Sequence, residues 1–261
     1  MPSGRFACLV VLGGSCDGSA SCAGCRPSKY RLSRGKGQAT SIRSSVYPWF
    51  MTHKTSESAP DDAPPRIEAL LETAWASLRD GVADARHGWH QAAIASIGTD
   101  GGPDARTVVV RSADQGARTV GFHTDLRSGK IERFRADSRV GLLFYDRALR
   151  IQLRASGRAT VHEDDSLADA AWARSSLSSR RCYLAPMAPS SPIDAFSPNL
   201  PSDLLHRVPD EAASEAGRDN FALILCHLDV MEWLHLRHDG HVRARFSWDA
   251  SGACSSTWLA P

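Results

Sequence analysis

The 261-residue sequence predicts a mainly β fold, a small closed antiparallel barrel with peripheral helices. Three observations carry that prediction. Beyond residue 90, apolar side chains recur at every second position in about seven runs. Turn chemistry recurs every ten residues or so, and most links are too short for the crossover that parallel strands need. The composition, 42% hydrophobic and 23% charged, suits a chain with a core and excludes collagen-like, coiled-coil and wholly disordered readings. The longest apolar runs, Ala7 to Leu12 and Phe221 to Cys226, fall far below the roughly 18–20 residues that cross a bilayer as a helix. No internal repeat points to a solenoid or propeller.

Residues 1–60 are read as a leader and 61–261 as the folded domain. The first 50 residues hold seven basic side chains and one acid, Asp17, while the rest is net acidic. That stretch is rich in Ser and Gly and lacks sustained periodicity, so it is expected to be disordered. It reads as an upstream extension with Met51 as the working start, as an organellar transit peptide, or more weakly as a secretion signal. Cys22 and Cys25 have the gap of a zinc-ligand pair, but no second pair follows, and no metal is expected. Cys182, Cys226 and Cys254 stand singly and read as reduced core thiols. They favour a reducing compartment, cytoplasmic unless the leader directs the chain to an organelle.

From residue 61 the elements follow in order. Asp61 and Asp62, then Pro64-Pro65, open an amphipathic helix over about 64–80, with Ile67, Leu70, Leu71, Ala74, Trp75 and Leu78 on one face. Gln91 to Ile97, Asp104 to Arg111 and Arg118 to Thr124 form a meander with turns at Thr99 to Pro103 and Asp114 to Gly116. A short helix spans Ser128 to about Ala136. Arg139 to Tyr145 and Arg150 to His162 make a second hairpin, and Leu167 to Ser176 another helix. Residues 185–209 hold six prolines, an excursion of the kind that often covers a site. Phe221 to Leu236, Val242 to Trp248 and Ser256 to Leu259 complete the strands.

The chemistry gathers around Arg106-Thr-Val-Val-Val-Arg111, two guanidinium groups at the ends of a β-branched strand. A planar guanidinium donates two parallel hydrogen bonds and suits phosphate. The next strand ends His123-Thr124-Asp125, and Ser128-Gly129-Lys130 opens a helix, so hydroxyls, Lys130 and Arg106 can converge on one phosphate. The plainer alternative is that Ser128 only caps the helix and the arginines only end a strand. A nucleic-acid surface built from Arg127, Lys130, Arg133, Arg135, Arg139 and their neighbours is disfavoured, because acids are interleaved with them. His235, His238 and His241 fall on a hairpin turn, which does not align three imidazoles on a metal. No G-x-S-x-G, HExxH or GxGxxG is present.

The run RTVVVR, then FHTDLRSGK, then RVGLLFYDRALRIQLRASGRA, and finally EWL with RARF and a terminal WLAP, resembles the pyridoxamine 5'-phosphate oxidase-like family of FMN-binding split barrels over about residues 65–261. The resemblance implies a six-stranded Greek-key barrel, a homodimer with FMN in clefts between the subunits, and a small-molecule substrate, with no nucleic-acid or membrane partner. It implies that Arg106 and Lys130 bind the FMN phosphate with Ser128 and Thr124 assisting. Thr107, Val108 and Val109 would line the isoalloxazine. Arg111, where the family usually has lysine, would stand near flavin and substrate. Gln152 would reach the flavin of the other subunit, and Trp233 and Arg245 would close the site. The departures lie on the substrate side. Where the true oxidases carry tyrosine-phenylalanine-x-serine-arginine-proline, this chain reads Trp172-Ala-Arg-Ser-Ser176-Leu177. Where they carry arginine-leucine-histidine, it reads His241-Val-Arg243. The expectations are therefore a flavin-dependent oxidoreductase acting on a small substrate, a flavin-binding protein without turnover, or a true pyridoxamine 5'-phosphate oxidase.

Overall fold

A computed structural model describes residues 65–261. The leader over 1–60, its Cys22–Cys25 pair and the capping role expected of Asp61 and Asp62 lie outside the described residues. Helix α1 runs Ile67–Ala83, three residues later than the periodicity predicts, and Arg66 at its N-cap makes no side-chain cap. It buries Ala74, Trp75 and Leu78 against the barrel. Gly81 completes that face: a Cβ there would lie 2.7 Å from the Trp89 carbonyl oxygen, so only glycine lets the helix end approach the entry to the first strand.

Strands β1 (Gln91–Ile97), β2 (Pro103–Asp114) and β3 (Thr119–Asp125) form the predicted meander. Helix α2 (Lys130–Ala136) leads to β4 (Arg139–Asp146), which pairs with β1, the first strand of the meander. That return is the Greek-key step. Then come β5 (Ile151–His162), helices α3 (Ser166–Arg174) and α4 (Leu177–Arg180), a 3-10 turn Arg181–Leu184, helix α5 (Glu211–Glu215) and strands β6 (Phe221–His235), β7 (Val242–Trp248) and β8 (Cys254–Trp258). The strand order is β3-β2-β1-β4-β5-β6-β7-β8, and β3 also pairs with β6. The first six strands thus close into an antiparallel barrel, while β7 and β8 continue the sheet beyond the closure. Closure leaves β3 and β6 without the bare edges of an open sheet.

The alternation read in the sequence sorts side chains as expected. Along β4, Val140, Leu142 and Phe144 face the core, while Leu143 and Tyr145 stay exposed. The core gathers Trp75, Trp89, Ile94, Phe122, Phe144, Leu153, Ile224, Met231 and Phe246. Trp89 sits 5.7 Å from Phe144 and 6.0 Å from Trp233 between ring centres. A second cluster under α3 holds Ala168, Ala171, Trp172, Tyr183, Phe221 and Leu223. Phe221 is its hub, in edge contact with Trp172, Tyr183 and His123. Burying such a ring contributes about 1.5–3 kcal/mol, so this cluster fixes the segment after α3 onto the barrel wall. Of the three cysteines read as core thiols, only Cys226 is buried; Cys182 and Cys254 are exposed. Single spacing carries no burial information, and these two fall outside the inward alternation.

Candidate functional site

Strand β2 sets the site. From Pro103 to Val109 it pairs with β1 on one side, but β3 joins its other side only from Val110, where the register shifts. The main chain of Arg106 to Val109 therefore presents hydrogen-bonding groups with no strand across from them, the property of a sheet edge. This stretch forms one wall of a cleft of about 410 Å³, lined by Arg106, Thr107, Val108, Val109, Arg111, His123, Thr124, Lys130, Ser178, Ser179, Cys182 and Tyr183.

The cationic end of the cleft is built by the turn between β3 and α2. Asp125, nearly buried, accepts from the Arg127 main-chain N–H at 2.8 Å and pairs with the Arg127 guanidinium at 2.7 Å. Arg127 also donates to the Ala185 carbonyl at 3.0 Å, which ties the turn to the proline-rich excursion. The tightened turn brings Lys130 back over β3, where its ammonium donates to Thr124 Oγ1 at 2.8 Å and to Ser128 Oγ at 2.7 Å. Arg106 donates to Ser96 Oγ and to Asp104 Oδ2, each at 2.7 Å, and Arg133 pairs with the same Asp104. Two cations, Arg106 and Arg133, thus share one carboxylate, and Lys130 is held by hydroxyls alone. Burial, with Arg106 alongside, lowers the Lys130 pKa from the usual lysine range. Burial likewise lowers that of Arg106, against the opposing pull of Asp104. An oxyanion placed here would relieve both.

The predicted residues separate into two groups. Arg106, Thr107, Val108, Val109, Arg111, Thr124 and Lys130 line the cleft, and Ser128 holds Lys130. The other three lie elsewhere on the protomer. Gln152 lines a groove of about 430 Å³ on the outer face of β1, β4 and β5, with Ala93, Ala95, Ala105 and Leu143. Trp233 is buried in the core against Trp89, and its indole N–H has no partner among the described residues. Arg245 pairs with Glu232 at 2.8 Å, beside Arg243 at 3.0 Å and Arg154 at 3.7 Å. Groove and cleft adjoin along β2, where Ala105 belongs to one and Arg106 to the other.

His123, Ser178, Ser179, Cys182 and Tyr183 also line the cleft without having been singled out as site residues. The last four arrive on α4 and the 3-10 turn, and nothing in their local sequence announces it. The second cluster puts them there. The excursion over 185–209 closes a further hollow against Cys182, Tyr183 and Asp125. Within it Asn199 clamps Met187, accepting from its N–H at 3.1 Å and donating to its carbonyl at 2.9 Å. Among the described residues no group of three or more His, Cys, Asp or Glu is arranged to hold a metal ion. The arginines once weighed as a nucleic-acid face are largely paired, Arg127 with Asp125, Arg135 with Glu163 and Arg139 with Asp137.

A family model described as pyridoxamine 5'-phosphate oxidase matches residues 79–196. The chain is 27% identical over 172 residues to pyridoxine/pyridoxamine 5'-phosphate oxidase 2 of Arabidopsis thaliana, covering 63% of this chain and 82% of that one. It is 36% identical over 107 residues to the pyridoxine/pyridoxamine 5'-phosphate oxidase of Anaeromyxobacter dehalogenans (strain 2CP-C), covering 41% of this chain and 49% of that one. Among solved structures, a pyridoxamine 5'-phosphate oxidase-related, FMN binding protein from Nostoc punctiforme PCC 73102 superposes with a TM-score of 0.57 at 23% identity, covering 76% of this chain and 99% of that one.

Proposed function

Because the chain belongs to the pyridoxamine 5'-phosphate oxidase-like family of split barrels, we propose that its cleft binds FMN and that the protein is an oxidoreductase acting on a small substrate. The observation that carries this reading is the meeting, in one cleft, of a phosphate-sized cationic end with an unpaired strand edge. Lys130, Arg106, Thr124 and Ser128 suit the phosphate. The main chain of Thr107 to Val109 suits the hydrogen-bonding edge of a flavin ring, with Val108 and Val109 against its face. When bound, the flavin supplies two-electron redox chemistry that amino-acid side chains lack. The residues of the chain hold it, orient it and keep positive charge near it, with Arg111 at the far end of the strand.

The reading includes a homodimer with the cleft at the subunit interface. The groove beside the cleft exposes Ala93, Ala95, Leu143 and Tyr145 on one sheet face, an apolar patch of the kind that a second copy covers. Gln152 stands on that face, so a second copy would bring it toward the neighbouring cleft, in keeping with the role the family implies.

A specific observation favours a substrate other than the phosphorylated vitamin. In the segment where the true oxidases carry an arginine for the substrate phosphate, Ser176 caps α4 through the Ser179 N–H. The nearby Arg180 is buried, bound to the Trp172 carbonyl and to Glu215. Titration of FMN against the native chain and the Arg106→Ala variant, followed by flavin fluorescence, tests the reading. A charge-assisted hydrogen bond contributes roughly 1.5–3 kcal/mol, so the variant should bind at least about tenfold more weakly. Equal affinity for both would refute the site.

A further inference from the structure

A second hollow, of about 520 Å³, adjoins the cleft and shares Arg111, His123 and Ser179 with it. We propose that this hollow binds the substrate, and that the substrate is an organic carboxylate with an apolar body, its carboxylate held by Arg111 and Arg174. The proposal rests on the flavin reading of the cleft and adds the substrate class.

The charge of the hollow argues for a monoanion. Neither Arg111 nor Arg174 has a hydrogen-bond or carboxylate partner among the described residues, whereas Arg127, Arg135 and Arg139 each pair with a carboxylate. Asp114 also lines the hollow and is engaged by the Ala117 N–H at 2.9 Å. Two positive charges against one leave a surplus of one, which a carboxylate balances and a phosphate dianion exceeds. His123 adds none. Burial, with Arg111 and Arg174 nearby, holds its pKa down at about 4. Ser175 gives its hydroxyl proton to the Ala171 carbonyl at 2.9 Å. At 3.4 Å from Ser175 Oγ, His123 Nδ1 is then the donor and Nε2 the acceptor, a tautomer assigned from the network.

The walls argue for an apolar body. Leu167, Ala171, Leu223 and Leu225 line the same hollow. Two planar guanidinium groups match a planar carboxylate, which accepts paired N–H donors. An acid seated this way lies beside Arg111, one of the three residues common to both cavities, and so beside the flavin edge.

The test is calorimetric titration of the full chain, without FMN, using benzoate, benzyl alcohol and pyridoxine 5'-phosphate as probes, repeated with Arg174→Gln and Arg174→Lys. FMN affinity is measured separately on each protein. Benzoate should bind at least about tenfold more tightly than benzyl alcohol and more tightly than pyridoxine 5'-phosphate. Arg174→Gln should lose that preference with FMN affinity unchanged, and Arg174→Lys should restore part of it. Benzoate binding that is absent, equal to that of the alcohol, or insensitive to Arg174→Gln would overturn the proposal. Loss of FMN binding in the native chain would instead overturn the reading beneath it.

Discussion

Replacing Lys130 by methionine separates the cost of a buried cation from its use. In the unliganded protein the ammonium is held by two hydroxyls, Thr124 at 2.8 Å and Ser128 at 2.7 Å, and its pKa is lowered by burial and by Arg106. A lysine whose folded pKa lies below its unfolded value weakens the fold at neutral pH, and the loss is recovered only as pH rises past the folded value toward the unfolded one. Methionine keeps the stem volume and needs no solvation. The unliganded Lys130→Met protein should therefore melt at the native temperature or above it. Flavin binding should behave oppositely, because a lost charge-assisted hydrogen bond to phosphate costs about 1.5–3 kcal/mol, or roughly 10–150-fold in Kd. At FMN 100 times the native Kd, binding stabilises the native protein by about 2.7 kcal/mol; a Kd 30-fold weaker leaves about 0.9 kcal/mol. With roughly 2–4 °C per kcal/mol for a domain of this size, the variant should lose about 4–7 °C of the flavin-induced rise in Tm. Tryptophan-emission melts with and without FMN measure both quantities. A full flavin shift in the variant, or an unliganded variant melting several degrees below native, would refute the reasoning.

His123, with its pKa pushed down to about 4, should make stability fall as pH drops from about 6.5 toward 4, by at most about 3 kcal/mol; denaturant midpoints across that window should flatten in His123→Gln. Tyr145→Asp, on the exposed apolar face of β4, should give a monomeric mass by light scattering and weaken FMN binding; a dimer of unchanged affinity would remove that face from the interface. A chain starting at Met51 should keep its fold and its flavin affinity, checked by circular dichroism and FMN titration. Conversion of pyridoxine or pyridoxamine 5'-phosphate should fall well short of kcat/KM of about 10⁴ M⁻¹s⁻¹, since Ser176 and Leu177 supply no cation to the substrate phosphate. An oxidase assay above that value would show that Arg174 or Arg243 substitutes.

The barrel was legible because its grammar is local. Period-two runs and short turns name antiparallel strands one hairpin at a time, and the return of β4 to β1 follows from the family resemblance. The phosphate end of the cleft was legible for the same reason, since Thr124, Ser128 and Lys130 lie within seven residues. What escaped is non-local. The far wall of the cleft, Ser178 to Tyr183, is placed by the packing of Trp172 and Tyr183 on Phe221, contacts whose partners lie 49 and 38 positions apart in the sequence. Trp233 and Arg245, expected to close the site, also lie elsewhere, because β6 turns Trp233 inward onto Trp89 and Glu232 on the same strand holds Arg245, pairings that the resemblance does not reveal. The cysteines misled because a lone thiol carries no period from which to infer its side of a strand.

The pairing of β3 with β6 joins residues far apart in the chain: Asp125 faces Phe221, 96 positions later (125 to 221). Contacts of such separation form late, because the entropy of closing the intervening chain must be met before they stabilise anything. During synthesis the cationic end of the cleft, carried by β2, β3 and α2, leaves the ribosome early, while the strand that shuts the barrel and seats Tyr183 leaves near the end. A nascent chain that stops short of Phe221 is thus an open sheet with bare edges on β3 and β5, prone to pairing with other chains. Completion of the cleft becomes one of the last events in the life of the growing polypeptide, and a chain interrupted before that point meets aggregation before its cleft is whole.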